Sequence, residues 1–227
     1  MKGWLRPAIA EGIGTFGLIF MGAGSIIVNH ATNGALGVTG IALAHGLAIA
    51  LGIAAVGRFS GGHFNPAVTI SMLVTKRITM GLGLIYIGAQ LLSALIGGMA
   101  LVALYPAADS AATRLGVPMI SPDISFQQAV LIEGILTFFL VTLIYATAVD
   151  PKGPGHLAPF AIGLTITMDV LAGGPLTGAA MNPARWFGAA LAAQHWANSA
   201  VYLLGPILGG GLAGLVYSRF VAARPSA

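Results

Sequence analysis

Apolar residues in this chain come in long unalternating runs, near residues 7–28, 38–57, 81–105, 126–148, 157–172 and 197–221. A helix rises ~1.5 Å per residue, so about twenty apolar residues cross a ~30 Å hydrocarbon core, whereas a barrel strand shows alternation over about ten. The pattern predicts six membrane-spanning helices. Two further apolar stretches, 66–75 and 183–193, each begin with a proline after an asparagine. At roughly half the length needed to cross, they enter the membrane without spanning it. The expected fold class is an all-α membrane protein with six transmembrane helices plus two re-entrant half-helices.

Composition sharpens this reading. Of 227 residues, 57% are hydrophobic and 7% charged. A soluble domain carries roughly a quarter charged residues, so the surface here is built to face lipid. The absence of cysteine excludes disulfides, thiol catalysis and cysteine metal sites. No cofactor is implied. The net charge of +4 is spread over single or paired basic residues without interleaved aromatics, which argues against nucleic acid. The charge instead sets orientation. With both termini inside, Lys2, Arg6, Arg58, Lys76, Arg77, Lys152, Arg219 and Arg224 collect on the cytoplasmic side, leaving Arg114 and Arg185 elsewhere. Short termini point to a cell (inner) membrane.

The proline-containing connection Tyr105–Ser125 divides the chain into halves, approximately 1–105 and 126–227 of one channel domain, 1–227. The halves are alike. Ala10-Glu11-Gly12-Ile13-Gly14-Thr15-Phe16 recurs as Ile132-Glu133-Gly134-Ile135-Leu136-Thr137-Phe138, and Asn65-Pro66-Ala67 as Asn182-Pro183-Ala184. Gly46 and Gly163 each precede their asparagine by 19 residues; Gly88 and Gly205 each follow by 23. Three spans per half is an odd number, so the second half enters from the opposite side, as an inverted repeat.

Asparagine is a favoured helix N-cap, and proline suits the first helical position, where its missing N–H is no loss. Each Asn-Pro-Ala therefore starts a half-helix. Inversion aims both positive N-terminal ends at the midplane. Unwound backbone at that depth survives only where it is buried or lines an aqueous cavity. The segments Ser60–Phe64 and Gly173–Met181 read as the loops that do so, with carbonyls exposed as acceptors.

On these residues the sequence resembles the aquaporin (major intrinsic protein) family over essentially its whole length, most specifically at Ser60–Thr69 and Thr177–Phe187. The resemblance implies a passive channel for water and small neutral solutes in a lipid bilayer, assembled as a homotetramer, and not an enzyme. It assigns Asn65 and Asn182 as donors to a central water, with Pro66, Ala67, Pro183 and Ala184 completing the motifs. It places an outer constriction on His45, Val170, Ala179 and Arg185. An arginine at membrane depth is costly unless it faces water, and its fixed charge repels cations. His45 reads alternatively as a core histidine. Histidine from the second span with a small aliphatic from the fifth is similar to the tonoplast-type subgroup, making ammonia, hydrogen peroxide or urea further expected solutes. The aspartate that glycerol channels usually carry after the arginine is replaced by Trp186, and Leu203 stands where tryptophan is common.

Glu11 and Glu133 are repeat-related carboxylates, readable as braces for the unwound loops or as proton relays. His63 either lines the cytoplasmic vestibule or braces its loop. Asp169 either faces the outer vestibule or pairs locally. A secondary transporter of a small neutral solute is the competing class, since inverted repeats with broken helices occur there too.

Overall fold

The computed structural model describes residues 3–222; Lys2 and Arg224, counted above for orientation, lie outside them. The six expected spans are present as α1 (Leu5–Ala31), α2 (Gly37–Ser60), α4 (Met80–Leu104), α6 (Phe126–Val149), α7 (Gly155–Thr177) and α9 (Ser199–Val221). The half-helices are α3 (Pro66–Val74) and α8 (Pro183–Ala192). The chain is an integral, multi-pass membrane protein. Large apolar side chains such as Ile13, Leu84, Leu131, Phe139, Leu208 and Leu212 are exposed on its outer face, where lipid rather than water receives them.

Helix ends follow local chemistry. Asn65 and Asn182 cap α3 and α8 with a proline at the first position. Ser125 and Gln128 form a reciprocal capping box on α6. Gly61, at φ 90°, ends α2 with its N–H on the Gly57 carbonyl at 2.7 Å.

One segment departs from the sequence reading. Residues 173–177, expected within a loop, continue α7 as its last turn with Pro175 inside the helix. The turn ends on Gly178 at φ 82°, whose N–H donates to the Gly174 carbonyl at 2.9 Å. Gly178 lies so close to Pro118 that a Cβ there would fall 2.7 Å from Pro118 Cα. The loop is thus Gly178–Asn182, not 173–181, because packing against the 105–125 connection holds a turn that Gly-Gly-Pro alone would not. That connection also contains a short helix, α5 (Ala107–Ala112), and a 3-10 turn at Arg114–Gly116.

Packing crosses the halves. Within the first, α1 packs on α2 and α4; within the second, α6 packs on α7 and α9; and α2 meets α7 across the middle. Each half-helix docks on the last long helix of the other half, α3 on α9 and α8 on α4. Close approach requires glycine at α2–α7: a Cβ on Gly46 would fall on the Gly163 carbonyl, and one on Gly163 on the Gly46 carbonyl. This exchange carries both asparagines to one point in the interior.

Candidate functional site

The residue before each asparagine is in a left-handed conformation unusual for its type, Phe64 at φ 48° and Met181 at φ 51°. Such a backbone costs on the order of 1–3 kcal/mol and persists only when its surroundings over-determine it. Here they do. The N–H of Phe64 donates to Glu11 Oε2 at 2.7 Å, and that of Met181 to Glu133 Oε2 at 2.7 Å. On the other side, the Phe64 carbonyl accepts from Asn182 Nδ2 at 2.9 Å, and the Met181 carbonyl from Asn65 Nδ2 at 2.8 Å. Each asparagine clamps the opposite loop, while its own Oδ1 caps its own half-helix.

The glutamates are fully committed. Glu11 also accepts from His63 N at 2.9 Å and Gln90 Nε2 at 2.7 Å. Glu133 also accepts from Ala180 N at 2.9 Å and Thr177 Oγ1 at 2.7 Å. Of the two readings left open by sequence, this geometry is that of the brace: buried backbone donors that helix formation leaves orphaned are satisfied by a carboxylate from a neighbouring span.

Beside the clamp runs a cavity of about 30 Å³. One water needs ~10–15 Å³ by this measure, so the space holds about two or three waters. Its lining combines polar groups, from His45, His63, Asn65, Asn182, Arg185 and the loop Ala179–Met181, with an apolar wall of Leu18, Ile49, Val68, Leu140, Ile144 and Ile166. Each asparagine amide has two hydrogens, one held by the opposite loop, so one remains for the cavity.

Arg185 is almost wholly buried. Its Nη1 donates to the Gly116 carbonyl at 2.8 Å, and its Nη2 lies 3.3 Å from His45 Nε2. His45 Nδ1 is 2.9 Å from the Ile41 carbonyl, which can only accept, so Nδ1 carries the proton and Nε2 receives the arginine. The ring and guanidinium thus form one hydrogen-bonded wall. Gly22, inside the π-helical stretch Leu18–Ala23 of α1, makes room for it: a Cβ there would stand 2.7 Å from His45 Cδ2. His63 is fixed by similar logic. Thr69 Oγ1 donates to the Asn65 carbonyl at 3.1 Å and accepts from Gln90 Nε2 at 3.0 Å, so His63 Nδ1, 3.0 Å away, must also donate to it. His63 Nε2 is left as an acceptor.

The structure brings His45, His63, Asn65, Ala179, Asn182 and Arg185 to one cavity. Pro66, Ala67, Pro183 and Ala184 form the first turns behind the asparagines. Val170 is not among the lining residues; it is buried in the adjoining core with Ile166 and Ala179. Asp169 neither reaches the cavity nor pairs: it is buried in α7, with Oδ2 lacking a protein partner among the described residues. Trp186 turns away from the cavity into an aromatic cluster, edge-on to Trp196 at 5.7 Å and stacked on Tyr202 at 6.3 Å. Leu203 is partly exposed.

Sequence reasoning missed the apolar wall, although the repeat register held a signal for it. Leu18 and Leu140 each follow their glutamate by seven residues, and Ile49 and Ile166 each precede their asparagine by sixteen. Val68 and Arg185 are likewise paired, each third after its asparagine.

The family described as major intrinsic protein matches residues 2–217. The chain is 42% identical to Aquaporin TIP4-4 of Zea mays over 98% of its own length and 89% of the relative's. It is 44% identical to Probable aquaporin TIP2-1 of Oryza sativa subsp. japonica, covering 94% of this chain and 86% of that one. Among solved structures it is similar to the aquaglyceroporin from Plasmodium falciparum, with a TM-score of 0.87, 27% identity and coverage of 96% and 97% of the two chains.

Proposed function

Because the chain belongs to the major intrinsic protein family, we propose that it is a passive channel conducting water past the clamped asparagines. The observation that carries this reading is the cavity of about 30 Å³ at the meeting point of the two half-helices, lined by both polar groups and apolar side chains. The polar groups replace part of a water molecule's hydrogen bonds, and the apolar wall holds it only weakly, so passage is fast and single-file.

Selectivity follows from the same groups. Asn65 and Asn182 each offer one free N–H, and both half-helices point their positive N-terminal ends inward. A water at that point is held with its oxygen toward the donors and cannot relay a proton along the file. The charge of Arg185 adds a barrier to cations, as in aquaporin-type pores generally. His45, Ala179 and Arg185 set the width, and Val170 is buried in the same apolar cluster as Ala179. The small Ala179 supports passage of ammonia, hydrogen peroxide or urea beside water.

The repeat-related glutamates, asparagines and wall leucines support two inverted halves within one channel domain. The cation bias supports cytoplasmic termini in a cell membrane, and family membership supports a homotetramer. Stopped-flow light scattering on proteoliposomes tests the reading: water permeability well above protein-free vesicles, without proton leak, is expected. His45→Phe is expected to lower urea and ammonia flux more than water flux. Shrinkage no faster than that of protein-free vesicles would overturn it.

A further inference from the structure

We propose that Ser25 is a positioning residue for the outer constriction: its hydroxyl holds the π-helical stretch of α1 against which His45 and the loop that fixes Arg185 both rest. This inference rests on the channel reading above. Ser25 is buried, and its Oγ donates to the Gly22 carbonyl at 2.6 Å. Gly22 belongs to the stretch Leu18–Ala23, where each turn holds more residues than in an α-helix. Widening a turn takes a carbonyl out of reach of its usual amide, and a nearby hydroxyl supplies the missing donor. Two neighbouring residues of the stretch then meet the two supports of the constriction. Gly22 faces the His45 ring, where a Cβ would fall 2.7 Å from Cδ2 and 2.8 Å from Nε2. Ala23 meets Gly116, whose own Cβ would fall 2.9 Å from the Ala23 carbonyl oxygen. The Gly116 carbonyl in turn accepts from Arg185 Nη1 at 2.8 Å. Imidazole and guanidinium thus lean on adjacent residues of one helix.

The second half is built differently at the matching positions. Counted from the glutamates, Gly22 corresponds to Ile144 and Ser25 to Thr147; counted from the asparagines, His45 corresponds to Ile162. There the helix keeps α spacing through Ile144, which itself lies on the cavity, and turns π-helical only over Tyr145–Val149. The Thr147 hydroxyl donates to the Leu143 carbonyl, four residues back, at 2.7 Å. Thr15, Thr137 and Thr165 also reach four back, the ordinary way a span hides a hydroxyl. Ser25 reaches three back instead, to the carbonyl of the residue behind His45. The glycine and the widened turn therefore occur in the half that must accommodate an imidazole, and not in the half with isoleucine in its place.

The test combines water permeability of proteoliposomes with nitrogen NMR of the His45 and Arg185 side chains, both on the full chain. Ser25→Ala is expected to shift the His45 and Arg185 signals and to lower water permeability about threefold, a factor within the range that one hydrogen bond supplies. Ser25→Thr keeps the donor and should hold both readouts at wild-type values. Ser25→Cys, close in size but a weak donor, should fall between them, and it carries the test if Ser25→Ala does not fold. Thr147→Ala removes the matching hydroxyl of the second half and should change neither readout. Unchanged His45 and Arg185 signals in a folded Ser25→Ala or Ser25→Cys would overturn the proposal. Equal shifts in Thr147→Ala would overturn it too, since they would mean a general loosening of the bundle. A wild type that passes no water would refute the channel reading alone, and the NMR signals would still decide for or against Ser25.

Discussion

The loops before Asn65 and Asn182 share one plan up to the asparagine and then diverge. In both, a glutamate seven residues before a wall leucine holds the loop N–H groups, a non-glycine residue takes a left-handed backbone, and the opposite asparagine holds its carbonyl. Three residues into the half-helix the first carries Val68 and the second Arg185, both on the cavity. Around Val68 the polar side chain is His63, tied to Thr69 of its own half-helix. Around Arg185 the ties run outward, to His45 of α2 and Gly116 of the connection between halves. Position and shape come from a duplicated frame, whereas the one arginine on the cavity has an apolar valine as its counterpart in the other half.

The largest effect is expected where the frame itself is removed. Glu133→Leu leaves the Ala180 and Met181 N–H groups and the Thr177 hydroxyl buried without an acceptor, each at about 1–3 kcal/mol. Glu11→Leu orphans an equal set. Both variants should lose monodisperse protein in size-exclusion chromatography and melt well below wild type. If one melts like wild type while the other does not, the two frames are not equivalent.

Next comes the fixed charge. Arg185→Val makes the second half-helix resemble the first at this position. The variant should fold and conduct water at least as fast, while proton flux across proteoliposomes rises about tenfold, equivalent to ~1.4 kcal/mol of lost barrier. Gly22→Ala acts one step removed, driving the His45 ring from its place at a cost of about 1–3 kcal/mol; urea and water flux should both fall. The smallest effect belongs to His63→Ala. Thr69 keeps its bonds to Asn65 and Gln90, so stability should drop by only ~0.5–1.5 kcal/mol and water flux should stay within about twofold.

What could be read from sequence divides along the same line. The long apolar runs and the two Asn-Pro starts located every span and half-helix, because length and capping are local properties. Gly173-Gly174-Pro175 misled, since the contact of Gly178 with Pro118 that holds this turn lies sixty residues away in the chain. The asparagines were legible as caps and donors, but their grip on the opposite carbonyls was not, because a backbone acceptor carries no residue-type signature. For the same reason nothing marked Gly116 as the partner of Arg185. Leu18, Leu140, Ile49 and Ile166 look like any other apolar residue of a span; only repeat register sets them apart.

The most direct test of the account blocks the cavity from its apolar wall. Leu140→Trp places an indole where the column of water passes, and Leu131→Trp places the same indole on the lipid face of the same helix. With both variants shown to be monodisperse and to melt near wild type, stopped-flow water permeability in proteoliposomes should fall to the protein-free rate for Leu140→Trp and remain at the wild-type rate for Leu131→Trp. Wild-type permeability in a folded Leu140→Trp would mean that water does not pass beside the asparagines.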